Sequence, residues 1–206
     1  MTNKGLLVVV SGPSGAGKGT ICQQLLKLES EILLSVSVTT RNPRAGEKEG
    51  ENYYFIPKEK FEDLILQDEL LEYAKVYDNY YGTPRKYVMD KINNGKNVLL
   101  EIDIQGALQI KEKYPEGVFV FILPPTMQEL KRRIIHRGSE TEASLEKRFR
   151  SAFEEIHYVK KYDYCIVNDQ VDLAVEKIRS IIQAERCKVT KDIEKMLLKY
   201  KEENLC

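Results

Sequence analysis

The sequence predicts an α/β domain, a parallel sheet with helices on both faces, formed by a chain of 206 residues. Three observations carry that expectation. Four apolar runs, Leu6–Val10, Lys96–Ile104, Val118–Leu123 and Tyr164–Val167, are separated by stretches of helical pattern, and such near-continuous runs suit strands buried on both faces. The first run leads straight into SGPSGAGKGT, a glycine-rich loop ending in Lys18 and opening a helix. A highly charged helical region, Thr126–Lys161, separates the last two strands.

Taken in order, Leu6–Val10 is the first strand, and Gly19–Leu28 places Ile21, Cys22, Leu25 and Leu28 on one helical face. Residues 33–39, rich in Val, Ser and Thr, suit a strand or strand end. RNPRAGEKEGEN is a loop marked by Pro43, Gly46 and Gly50. Tyr53–Ile56 is a further short strand, and Pro57 opens a helix with Phe61, Leu64, Ile65 and Leu71 at helical spacing. The strand Lys96–Ile104 lies between Asn93-Asn94-Gly95 and Gly106, and Val118–Leu123 is closed by Pro124-Pro125. From Val171 onward the pattern is helical. In the lysine-rich tail, Val189, Ile193, Met196, Leu197 and Tyr200 form an amphipathic stripe expected to dock on the core, with a dimer contact as the alternative.

Lysine plus arginine equals aspartate plus glutamate at 32 each, so no global field points to nucleic acid or a membrane surface. The four cysteines, Cys22, Cys165, Cys187 and Cys206, show no CxxC pairing and read as free thiols of a reducing compartment. No apolar run approaches membrane-spanning length, and residues 6–10 run into Gly and Pro rather than forming a secretion signal. A cytoplasmic location is expected.

The loop carries the chemistry. Gly12, Gly15 and Gly17 permit tight turns that aim successive N–H groups into one concavity. Lys18 adds a positive charge, and the following helix offers its N-terminus to an anion, best a nucleotide polyphosphate. The strict pattern places Ser or Thr directly after the lysine; here Gly19 stands there and the hydroxyl arrives on Thr20. Mg²⁺ is therefore expected to be held mainly through water and the nucleotide.

Glu101 and Asp103 are two apart on VLLEIDI, so they are expected to share one strand face at the end where ligands bind, Glu101 near Mg²⁺ and Asp103 facing substrate. Arg41 and Arg44 in the polar loop can grip a phosphate, although such a pair alone is more often solvated surface. Tyr53 and Tyr81 can add phenolic donors. Arg133 and Arg137 lie four apart on one helix face and Arg148 follows in the next helix, a flap that can bring arginines over transferring phosphates.

The order GPSGAGKGT, SVSVTTRNPRAGE, ENYYF, NYYG, EIDIQG, RRIIHRGSETEASLEKR and IVND resembles the guanylate kinases over residues 6 to about 185. The resemblance implies a P-loop NTPase three-layer core with a parallel sheet, an inserted GMP-binding lobe and a helical lid, all within one domain 1–206. It places the core at about 1–36, 91–125 and 162–206, the lobe at about 37–90 and the lid at about 126–161. It implies transfer of the terminal phosphoryl group of ATP to GMP, and also to dGMP, with Mg²⁺ as Mg-ATP. The residues Gly12, Pro13, Ser14, Gly15, Ala16, Gly17, Lys18, Gly19 and Thr20 would bind ATP phosphates, with Arg133 and Arg137 from the lid and Asn168 near adenine. Arg41, Arg44, Tyr53 and Tyr81 would hold the GMP phosphate, and Ser37, Glu72, Thr83 and Asp103 would surround guanine. Lys18, Arg41, Arg137 and Arg148 would form the catalytic group, and Glu101 or Thr20 would meet Mg²⁺, directly or through water.

The chemistry of the base agrees. Guanine presents N1–H and the 2-amino group as adjacent donors, which a carboxylate from Glu72 or Asp103 accepts, while hydroxyls of Ser37 or Thr83 can donate to O6. A site built on such bonds can reject the wrong base by ~10⁴-fold or more. Two alternatives stay open at this point: a kinase for another nucleoside monophosphate, and a non-catalytic interaction module on the same fold. Oligomeric state is not fixed by the sequence.

Overall fold

A computed structural model describes residues 4–44, 46–76, 78–136, 142–189 and 193–203. The chain runs β1 (Leu7–Ser11), α1 (Lys18–Leu28), β2 (Ile32–Leu34), β3 (Val38–Thr39), β4 (Tyr54–Phe55), α2 (Lys58–Leu66), β5 (Leu70–Val76), β6 (Asn79–Pro84), α3 (Arg85–Asn93) and β7 (Asn97–Glu101). It continues through α4 (Ile104–Lys113), β8 (Val118–Leu123), α5 (Met127–His136), α6 (Glu142–Ile156), a 3₁₀ turn at His157–Lys161, β9 (Tyr164–Val167), α7 (Val171–Arg186) and α8 (Ile193–Glu203).

The main sheet is parallel throughout, in the order β2-β7-β1-β8-β9. β1 sits at its centre because all five of its residues are buried, with Val9 opposite Leu100 on one side and Phe119 on the other. Alternate side chains leave opposite faces. Val8, Val10, Leu99 and Ile122 pack on Ile21 and Leu25 of α1 and on Val175 and Ile178 of α7. Leu7, Val9, Leu100 and Phe119 pack on Val88 of α3 and Ala107 and Ile110 of α4. Each fully buried side chain of this size contributes about 1.5–3 kcal/mol, so the two clusters fix the sheet and, with it, the loop at the end of β1.

A second sheet, β4-β3-β6-β5, covers residues 38–84 and has its own small core of Val38, Phe61 and Leu70. In the helical insertion, α5 and α6 close on Leu130, Ile134 and Ala152.

Several element expectations change. The strand expected over 33–39 is two strands in two different sheets. The chain follows β7 to Ser35, whose N–H donates to the Leu99 carbonyl at 3.0 Å, and then turns away into β3. Leu71 is not on the helix after Pro57; Asp68 adopts φ 54°, the helix stops at Leu66, and Leu71 is buried in β5. The strand expected over Lys96–Ile104 ends at Glu101, and Asp103 caps α4, its Oδ1 accepting from the Gly106 N–H at 2.9 Å. Glu101 and Asp103 therefore do not share a strand face. Helix α1 begins at Lys18, and Leu28 is 56 % exposed rather than packed. In the tail, Val189 and, on α8, Leu197, Leu198 and Tyr200 are exposed while Ile193 and Met196 are half-buried, so only part of the expected apolar stripe is covered.

Candidate active site

The loop between β1 and α1 is shaped by two close approaches. At Gly12, with φ 144°, a side chain would strike the Ile122 carbonyl of β8. At Gly17, φ 93°, it would strike the Asn168 amide. Gly17 is also the N-cap of α1, which opens with neither a side-chain cap nor a first-turn acid among the described residues. Its first amides are left for an anion. The Lys18 ammonium folds back over the loop and donates to the carbonyls of Gly12 at 2.6 Å and Pro13 at 3.2 Å. Burial lowers its pKa from the usual lysine value, opposed by the negative charges of Glu101, Glu155 and Asp103.

Two clefts meet at this loop. The first, of about 240 Å³, is lined by Lys18, Ser37, Tyr53, Glu72, Val76, Tyr81, Gly82, Glu101, Ile102 and Asp103. The second, of about 460 Å³, is lined by Gly15, Gly17, Thr20, Glu129, Arg132, Arg133, Asn168, Asp169 and Val171.

In the first cleft Glu72 of β5 is 3 % exposed, and the Thr83 hydroxyl of β6 donates to its Oε1 at 2.6 Å. Burial raises the Glu72 pKa to about 7, with Asp103 adding to the rise and Thr83 and Lys113 opposing it. The donor proton of Thr83 is thus committed to Glu72, and Thr83 backs that carboxylate rather than lining the cleft. Of the two hydroxyls expected at guanine O6, that of Ser37 belongs to a residue lining the cleft.

Arg41 stands behind the tyrosines. Its two terminal nitrogens donate to both oxygens of Glu47 at 2.9 Å, and its guanidinium lies 5.4 Å from the Tyr53 ring centroid. The Glu47 bond raises the Arg41 pKa, and Arg41 in turn lowers that of Glu47. Arg41 Nε is buried without a hydrogen-bond partner among the described residues. Arg44 is exposed, joined to Glu47 through its backbone N–H at 2.7 Å.

In the second cleft Arg133 donates to Glu129 at 2.7 Å and to the Asn168 carbonyl at 3.1 Å. The Asn168 amide donates to the Ala16 carbonyl at 2.8 Å, leaving its Oδ1 buried and unpartnered among the described residues. Thr20 is exposed on this side. From α6, Arg148 donates to the Ser14 hydroxyl at 2.9 Å. Arg137 lies outside the described residues.

Glu101 sits beside Gly19, its Oε1 3.3 Å from where a Gly19 side chain would begin. No cluster of three or more His, Cys, Asp or Glu that could hold a metal occurs among the described residues. A single carboxylate near a polyphosphate site still fits Mg²⁺, which keeps most of its waters and takes phosphate oxygens.

Sequence reasoning missed Glu155 of α6, which accepts the Ser14 backbone N–H and a 3.2 Å bond from Ser151, with its pKa raised by burial. It also missed Glu129, although its spacing of four from Arg133 is a legible helix pair. Val76, Gly82 and Ile102 carry no chemical signal and enter the first cleft through the fold alone.

A Gly-rich loop at the end of a central parallel strand, between two clefts and beneath a pair of arginine-bearing helices, defines a P-loop phosphotransferase with separate donor and acceptor sites. The family model for guanylate kinase matches residues 4–185, and the chain belongs to that family. It is 65 % identical over 189 residues to a guanylate kinase of Clostridium acetobutylicum, covering 92 % of this chain and 90 % of that one. It is 57 % identical to a guanylate kinase of Caldanaerobacter subterraneus subsp. tengcongensis, with 98 % of each chain covered. Among solved structures, guanylate kinase from Anaplasma phagocytophilum matches with a TM-score of 0.78 at 39 % identity, over 91 % of this chain and 89 % of that one.

Proposed function

We propose that this chain transfers the γ-phosphoryl group of ATP to GMP and dGMP, giving ADP and the corresponding diphosphate, in cytoplasmic purine nucleotide metabolism. The observation that carries the reading is the pair of clefts meeting at Gly17 and Lys18, one of them holding the buried carboxylate of Glu72. ATP occupies the second cleft, with its base toward Asn168 and its phosphates along Gly12–Thr20 under Arg133, Arg137 and Arg148. GMP occupies the first, with guanine N1–H and the 2-amino group donating to Glu72 and Asp103, and O6 accepting from Ser37. Arg41, whose Nε lacks a partner among the described residues, takes the GMP phosphate together with Arg44, Tyr53 and Tyr81.

In this arrangement the protein does little covalent chemistry. Lys18 leaves the Gly12 and Pro13 carbonyls to meet the phosphate oxygens in transfer, and the arginines spread positive charge over the same group. Glu101, directly or through water, and Thr20 would hold Mg²⁺, which would neutralise phosphate charge. Residues of about 37–90 and 126–161 act as the lobe and lid that exclude water.

The test offers ATP and Mg²⁺ with GMP, dGMP, AMP, CMP, UMP and dTMP in turn, following ADP release. ADP formed only with GMP and dGMP supports the reading. Activity on AMP would overturn the guanine site, and tight peptide binding without ATP consumption would overturn the enzyme.

A further inference from the structure

Gly106 is the third residue of α4 and is buried. Nothing in its backbone asks for glycine: it lies within a regular helix, and alanine there is the better helix former. What glycine leaves open is space. A side chain built at Gly106 would overlap Glu72 Oε2 and lie 2.9 Å from Cδ and 3.4 Å from Cγ, and these are its three nearest neighbours. The volume a methyl group would take is therefore filled by the end of one side chain.

We propose that Gly106 is a positioning residue for base reading, its missing side chain being the space in which the Glu72 carboxylate is held against the guanine edge. The inference rests on the reading of Glu72 as a guanine contact. Two contacts set that carboxylate, the Thr83 hydroxyl from β6 and the bare Gly106 backbone from α4, and its remaining side faces the cleft. The same helix turn is pinned by Asp103, so the first turn of α4 carries a cap and a carboxylate seat at once. A methyl group at 106 pushes a flexible side chain and not the backbone, so the fold can absorb it by moving the carboxylate off its seat.

The test is a double-mutant cycle of Gly106→Ala with Glu72→Asp, whose shorter carboxyl group withdraws from position 106, and with Glu72→Gln as a control. Melting temperature, KM for GMP, KM for ATP and the preference for GMP over its analogue lacking the 2-amino group are measured for each. Gly106→Ala is expected to melt no lower than the parent, to raise KM for GMP about ten- to a hundredfold, as loss of a charged hydrogen bond does, and to leave KM for ATP unchanged. Adding Gly106→Ala to the Glu72→Asp protein is expected to raise that KM less than about threefold further, because the shorter carboxyl no longer competes for the space. An unchanged KM for GMP in Gly106→Ala, beside a raised one in Glu72→Gln, would overturn the positioning role and leave the guanine reading standing. An unchanged KM in Glu72→Gln would remove the guanine reading and the inference with it. If Gly106→Ala does not fold, the Glu72→Asp background decides: a folded double variant with the KM of Glu72→Asp supports the role, and one that also fails to fold overturns it.

Discussion

The Thr83 hydroxyl donates a 2.6 Å hydrogen bond to Glu72 across the β5–β6 hairpin, at a point where Glu72 keeps only 3 % of its surface. That bond is not enough to hold the carboxylate ionised at its usual pKa, and burial raises the value to about 7. The folded chain thus binds a proton that the unfolded chain releases between about pH 4.5 and 7. Stability on this account falls as pH rises through that window, by about 3 kcal/mol in all. Glu72→Gln removes the ionisation. It is expected to raise the melting temperature at pH 8 clearly more than at pH 5, and an equal offset at both would show that Glu72 is not the group responsible.

On the proposed guanine contact, the same carboxyl must be ionised to accept both guanine donors. KM for GMP is therefore expected to rise by roughly tenfold per unit as pH drops below about 7, while KM for ATP follows a different profile. The phosphate of GMP also gains a proton near pH 6. Comparison with Glu72→Gln separates the two, because only the phosphate effect survives in that variant. Parallel profiles for the parent and Glu72→Gln would remove Glu72 from base recognition.

Lys18 is held by two carbonyls of its own loop and carries a pKa lowered by burial. An ammonium drawn out of water is a cost to the fold, offset in part by Glu101, Glu155 and Asp103 and further by a ligand's negative charge. Lys18→Ala is expected to cut kcat by at least about a hundredfold, the scale of losing one stabiliser of transferring charge. Its melting temperature without nucleotide should match or exceed that of the parent. A variant that loses stability and activity together would make Lys18 a structural residue.

Arg41 is pre-set by the two-pronged bond to Glu47 and the Tyr53 ring. Arg41→Ala is expected to raise KM for GMP about ten- to a hundredfold, as loss of charged hydrogen bonds does, and to spare KM for ATP. Glu47→Gln, which loosens the arginine without removing it, should give a smaller rise in the same direction. Equal losses for both substrates would place Arg41 outside the acceptor site.

What the sequence made legible follows physical locality. The glycine-rich loop and the strands β1, β8 and β9 are short-range patterns, readable in consecutive residues. The element ends were not. Whether Asp103 closes a strand or caps a helix depends on the Gly106 N–H three residues on, and alternation alone extends the strand through it. The split of residues 33–39 between two sheets depends on Leu99, more than sixty residues away. Glu155 reaches the loop only because α6 folds over Ser14, and no local pattern distinguishes it from other helix carboxylates. Thr83 was expected beside guanine, and nothing in consecutive residues shows that its hydroxyl proton goes instead to Glu72, eleven residues away.

Gly17 joins the donor side of the site to the core. Its φ of 93° lies in the left-handed region, and the Asn168 amide fills the space that a side chain would need while donating to Ala16 at 2.8 Å. Alanine at 17 meets two costs, about 1–2 kcal/mol for the backbone and the displacement of Asn168. For a domain of this length the first alone lowers the melting temperature by roughly 2–8 °C. The displaced amide would also disturb Arg133, which donates to the Asn168 carbonyl and lines the same cleft. Gly17→Ala is therefore expected to raise KM for ATP more than KM for GMP, and to reduce the thermal shift given by ATP but not that given by GMP. A thermal shift by ATP equal to the parent's, in a protein that melts lower, would confine Gly17 to the fold and move the donor base away from Asn168.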